Sequence, residues 1–352
     1  MNSNLPNLKW PRKAIVFYKA DIGIILKVWI LLLVLMSGCI SPNRKRNLKY
    51  VKSLSYLSDS TFLSDVRNID FYNNRYMVSE NRRGQIIELD EQLNVVSNSG
   101  TLGEGPGELK GLTRFFIRND SIFAINPGER TIEVYLSGDT LSRKTIPIPE
   151  EIVGTRVDFR FFVTNTEVFV SAPESGSAIT SFNMNGIISR NIGRLEEFKV
   201  ASDNPKFANS IRNLQFIFQS SDGKIISVME GNPVIRVFDP SGNIINTFYA
   251  NEYGTIRERK SYIDNQPKEQ YSTYAYFRDV YYCDGKLYLL CISGTEKPLK
   301  ANSILVFKLA SDKMEFIEEL QLPGKWYSSF CVSRNGILAF ETTEDELQLF
   351  EL

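Results

Sequence analysis

The stretch Val66-Arg-Asn-Ile-Asp-Phe-Tyr-Asn-Asn-Arg-Tyr-Met-Val-Ser-Glu80 reads as two short strands folded back at the polar pair Asn73-Asn74. The same phrase returns five more times. Its turns fall at Asn119-Asp120, Asn165-Thr166, Asp222-Gly223, Asp284-Gly285 and Asn335-Gly336, with successive separations of 46, 46, 57, 62 and 51 residues. A period of about 40–50 residues built from short strands is the mark of a β-propeller.

Working outward from the hairpins, each copy extends to four strands. In the first they are Val66–Tyr72, Arg75–Glu80, Gln85–Asp90 and Val95–Ser99; in the second, Leu112–Arg118, Ser121–Asn126, Thr131–Leu136 and Leu141–Ile148. Alternation of period two predicts half-buried strands, as blades sandwiched between neighbours require. The sixth copy has only three strands, Trp326–Ser333, Ile337–Thr342 and Glu346–Leu352, before the sequence stops. Leu48–Leu57 is a spare strand ahead of the first full copy. The expectation is an all-β, six-bladed β-propeller over 48–352, with this N-terminal strand closing the last blade and covering its edge.

Residues 1–38 read as a leader. Lys9, Arg12, Lys13, Lys19 and Lys27 precede the nine-residue apolar run Val28–Met36. Nine residues are too few to span a bilayer, which takes about 20, but they suit a signal peptide; the alternative is an uncleaved anchor over Ala14–Met36, which Lys19, Asp21 and Lys27 interrupt. The run ends in Met36-Ser37-Gly38-Cys39, which resembles the bacterial lipobox, with Met where Leu is usual. That resemblance implies diacylation of Cys39 and a membrane-held protein. Residues 39–47 are then a tether. The basic Ile40-Ser-Pro-Asn-Arg-Lys-Arg46 lacks the acidic tract that resembles a surface-export tag, so the expectation is an outer-membrane lipoprotein facing the periplasm.

Composition excludes more than it identifies. The 352-residue chain carries 41 basic and 41 acidic side chains and no histidine. Without the leader the count is 36 basic to 40 acidic, which gives no footprint for nucleic acid. Absence of histidine removes His-assisted nucleophiles and His-ligated metal sites. No metal or cofactor is expected. Cys283, Cys291 and Cys331 lack metal-type spacing; Cys283 and Cys291 lie too far apart along one hairpin to bridge, so buried free thiols are expected.

Between the first two copies lies Gly100-Thr-Leu-Gly-Glu-Gly-Pro-Gly-Glu-Leu109, followed by strand, turn, strand and Ile132-Glu-Val-Tyr-Leu136. This resembles the NHL-type repeat, and the chain looks similar to the six-bladed propeller lipoproteins of Bacteroidetes. The glycine motif is clear only once, and the usual Asp and Gly turn positions are eroded in most blades. Glycines here allow positive φ where the chain turns from a rim strand back to the axis.

Propeller connectivity places the short turns on one face and every long insertion on the other. The insertions are Arg194–Arg212, Ala250–Tyr276 and Ser293–Asn302. Binding residues concentrate on such loops, which makes Tyr253, Arg257 and Tyr262 candidates for stacking and polar contact with a partner, against the alternative of a lid packed on blade edges. Arg67, Arg114, Arg160 and Arg278 recur seven or eight residues before the second strand in four blades. They are candidates to line the axial opening and hold an anionic ligand, against the alternative of structural pairing with Asp65, Asp158 or Asp279. The function expected is a binding or scaffolding module for a glycan, peptide or protein of the outer membrane, engaged through the insertion face. The rival is a histidine-free lyase or hydrolase acting on an anionic saccharide, with no catalytic residue identified.

Overall fold

The computed structural model describes residues 44–57, 61–152, 160–198, 204–265, 275–294 and 298–352. The leader, Cys39, Tyr271, Tyr274 and Asp158 lie outside them.

Six sheets follow one another from Arg44 onward, and they make a six-bladed β-propeller. Blade 1 consists of Val66–Tyr72, Arg75–Glu80, Gln85–Leu89 and Val95–Ser99, paired in chain order. Blades 2 to 6 begin with the inner strands Phe115–Arg118, Phe162–Val163, Gln215–Gln219, Phe277–Cys283 and Tyr327–Ser333. The turns carry the hand that a two-residue hairpin needs. Asn73 and Asn74, Asn119 and Asp120, and Asp284 and Gly285 all have positive φ, which Asn, Asp and Gly tolerate best.

Burial is deepest in the second strands, while inner strands such as Phe115–Arg118 and rim strands keep partial exposure. The second strands Ile225–Met229 and Gly336–Glu341 are buried throughout, whereas the rim strand Ile244–Tyr249 is largely exposed. A second strand has a blade on each side and a strand along each edge, whereas an inner strand borders the axis and a rim strand splays away from its neighbours.

Lys49–Leu54 lies antiparallel to Glu346–Glu351 and is the fourth strand of blade 6, in register from Lys49 opposite Glu351 to Leu54 opposite Leu347. The tether assigned to 39–47 needs correcting, because Lys45–Asn47 is itself a strand. It runs parallel to the rim strand Met314–Gln321 of blade 5, with Lys45 opposite Glu319 and Asn47 opposite Gln321. One N-terminal segment therefore covers the rims of two consecutive blades. Three residues are too short to show alternation, so this pairing had no signal in sequence.

Two insertions contain helices that the loop reading missed: α1 (Pro205–Arg212) and α2 (Gly254–Asp264). Asn204 caps α1 by accepting from the Phe207 amide. In α2, Ile256, Arg259 and Ile263 are buried at helical spacing. No helix among the described residues is long and apolar enough to cross a membrane.

Candidate functional site on the propeller axis

The four recurrent arginines do not form one ring. Arg67 is exposed and pairs with Asp65 two residues away, Nε to Oδ1 at 2.5 Å. Arg160, only 6% exposed, crosses the axis from blade 3 to the opposite side. Its Nε and Nη2 donate to both oxygens of Asp279 in blade 5 (2.8 and 2.7 Å), and Nη2 also donates to the Phe330 carbonyl of blade 6 (2.7 Å). The Ile69 carbonyl of blade 1 accepts at 3.4 Å. Arg114 approaches the same carboxylate at 3.6 Å and donates to Asn68 Oδ1 at 3.1 Å.

Asp279 reaches this place through a register shift. The inner strand of blade 5 slips between Phe277 and Asp279, and those of blades 1 and 6 slip at the matching positions. A bulge re-aims the side chains that follow it. Asp279 also accepts from Ser329 Oγ and the Phe330 amide. Burial alone would raise its carboxyl, but Arg160 and Arg114 hold it below the ordinary value.

Arg278, the bulge residue, is partly exposed, and its Nε has no hydrogen-bond partner among the described residues. It acts with Arg114 on Glu230 at the end of the second strand of blade 4. Glu230 differs from its counterparts. Glu80 in blade 1 accepts from the Ser64, Asp65 and Arg83 amides, and Glu341 in blade 6 from those of Lys325, Trp326, Thr343 and Glu344. These carboxylates pin loops, whereas Glu230 takes no such bond among the described residues. Burial pushes its carboxyl up to about 7 despite both arginines. It keeps some accessible surface. Sequence reasoning missed Glu230, although its alignment with Glu80 and Glu341 in the repeats was available.

Tyr253 lies over the Phe307 and Phe316 rings of blade 5, at 5.0 and 5.3 Å. Tyr262 lies 5.3 Å from the Arg259 guanidinium in α2. Arg257 is exposed. The glycine loop is knitted to both blades it joins: Leu109 is fully buried, the Gly107 carbonyl accepts from Tyr135 Oη and the Ser142 amide, and Glu108 Oε2 accepts from the Gly105 amide. Cys283, Cys291 and Cys331 are free. Burial pushes the Cys283 thiol up to about 12 and raises the Cys291 and Cys331 thiols as well. Among the described residues no group of three or more His, Cys, Asp or Glu could hold a metal ion.

A cavity of about 220 Å³ lies on the axis, and it opens among the short turns rather than the insertions. Its wall is the turn-side half of five inner strands, including Phe71, Phe116, Phe161, Phe218 and Tyr282, with Asp70, Arg160 and Tyr281 also lining it. Sequence reasoning placed nothing there, because short turns carry no insertion to mark them.

No family model matches the chain, and no curated protein does. Solved structures with the same fold do. A member of the DUF4221 family from Bacteroides vulgatus has a TM-score of 0.56 at 13% identity, over 86% of this chain and 97% of that one. A putative exported protein from Bacteroides fragilis has a TM-score of 0.54 at 14% identity, over 85% and 86%. A catalytically inactive histidine-to-alanine variant of virginiamycin B lyase from Staphylococcus aureus, solved with quinupristin, has a TM-score of 0.51 at 12% identity, over 86% and 98%. At these identities the likeness is one of fold.

Proposed function

We propose that this chain is an exported, lipid-anchored propeller of NHL-like type that binds a partner through its insertion face, and that the partner is a protein. The observation that carries this is a set of exposed large apolar side chains on the connections between blades. Tyr56 (55% exposed) and Phe62 (59%) precede blade 1, Leu102 (55%) precedes blade 2, and Phe207 and Ile211 on α1 precede blade 4. All these connections run from a rim strand to the next inner strand and so share one face. Tyr56 and Phe62 stack on each other at 4.5 Å. Exposed apolar groups on such connections suit an interaction surface, and aromatic anchors with arginines such as Arg67 and Arg257 supply much of the energy at protein interfaces.

Export rests on the leader and Cys39, and the fold shared with the putative exported protein from Bacteroides fragilis agrees with it. The segment after Cys39 supports periplasmic orientation at the outer membrane. The rival saccharide lyase or hydrolase finds less support. Replacing a histidine inactivates the virginiamycin B lyase of similar fold, and this chain has none. Arg114 and Arg160, its intended anchors, already face Asp279.

Photo-crosslinking in the native envelope tests the proposal. A photoreactive residue at Phe62 or Phe207 is expected to capture one common protein, and one at Asn335 on the turn face is expected not to capture that protein. Capture from Asn335 alone, or from no position, overturns the insertion-face reading.

A further inference from the structure

The axial cavity on the turn face has no part in that reading, and its chemistry is specific. Phe71, Tyr72, Phe116, Phe161, Phe218 and Tyr282 come from five different blades, so aromatic side chains contribute from most sides of the axis. Phe71, Tyr72, Phe116, Phe218 and Tyr282 each keep part of their surface accessible.

The polar groups that line the cavity are unequal. Arg160 is saturated: its hydrogen bonds go to Asp279, Phe330 and Ile69, and its charge is met by Asp279. Asp70 is not. Its Oδ1 accepts from Tyr281 Oη at 2.7 Å and from the Phe71 amide at 2.8 Å. Its Oδ2 has no hydrogen bond, and the carboxylate makes no ion pair, among the described residues. Burial raises the Asp70 carboxyl above its ordinary value, and the charge of Arg160, which is committed to Asp279, opposes that rise. A carboxylate enclosed by aromatic rings attracts a cation, because ring faces carry negative potential and the enclosed site screens poorly. A saccharide would need several polar partners, and here most are already committed.

We infer that this cavity binds an organic cation, an alkylammonium group seated against Asp70 within the aromatic wall. At about 220 Å³ it lies below the 300–1,000 Å³ common for drug-sized ligands, so it takes a head group rather than a whole large molecule. The group can belong to a small free amine or to a lysine side chain of a partner protein.

Saturation-transfer NMR on the full chain in detergent tests this with three probes: tetramethylammonium, Nα-acetyl-lysinamide, and the uncharged tert-butanol. Binding of tetramethylammonium alone supports a free quaternary amine; binding of the lysinamide as well supports a protein lysine. Asp70→Asn is expected to weaken either at least tenfold. Phe116→Leu, which keeps the apolar volume but removes the ring, is expected to weaken it about threefold or more. The bound fraction is expected to fall as pH drops and Asp70 takes up a proton. Equal binding of tert-butanol, undiminished binding to folded Asp70→Asn, or no binding of either cation overturns the inference. Crosslinking at Phe62 is unaffected by these variants if both readings hold, so the two fail separately.

Discussion

Arg160 of blade 3 and Asp279 of blade 5 meet fork to fork across the axis, at 2.7 and 2.8 Å, with Asp279 fully buried. Because Arg160 also bonds the backbones of blades 1 and 6, one side chain ties four of the six blades together.

Removing one partner of a buried pair leaves an uncompensated charge. Arg160→Met is therefore expected to cost about 3–5 kcal/mol in urea unfolding, and Arg160→Met with Asp279→Leu to recover part of that. The depressed carboxyl of Asp279 makes its contribution complete above the ordinary carboxylate range, and lost as pH falls through its folded value. Acid unfolding of the double variant should thus be less steep. A double variant no more stable than the single one contradicts this account.

Glu230 works in the opposite direction. Its folded carboxyl is raised to about 7, so the native state holds a proton that the unfolded chain has lost, and stability declines as pH rises from the ordinary carboxylate value to about 7. Glu230→Gln should match the wild type near pH 4.5. At pH 8 it should be the more stable by about 1–2 kcal/mol, allowing for the partial exposure of the group. Parallel pH–stability curves for the two proteins count against it.

The N-terminal segment is paired to Met314–Gln321 as well as to Glu346–Glu351. Deleting 40–58 leaves both rims as unpaired edges. The expected outcome is a broadened melt and concentration-dependent association by light scattering. Lys45→Ala and Arg46→Ala should shift the melt little, because their pairs with Glu319 and Glu318 are exposed on the basic side. A truncated protein that melts like the full one removes closure from the account of stability.

Cys39→Ala should abolish labelling by a palmitate analogue and release the protein from the membrane fraction. Acylation supplies about 0.8 kcal/mol per buried methylene. Undiminished label on the variant refutes lipidation there, and protease shaving of intact cells reports which side the propeller faces.

The fold was readable before any coordinates because it is written in local repeats. Six hairpins with polar turns, such as Asn73-Asn74 and Asp284-Gly285, each specify their own register over a few residues, and a chain that repeats such a unit has few ways to bury it. Arg114, Arg160 and Arg278 stood out for the same reason, as recurrences at one offset. What they touch was not readable. Asp279 lies 119 residues from Arg160, its direction is set by a register shift in another blade, and the choice between open channel and packed axis depends on how six inner strands converge. The cavity beside Asp70 was equally hidden, since its wall takes no more than three consecutive residues from each of five blades. Local pairing energies are carried by neighbouring residues, so sequence displays them. Properties of the axis arise only when the ring closes and brings distant residues within hydrogen-bonding range.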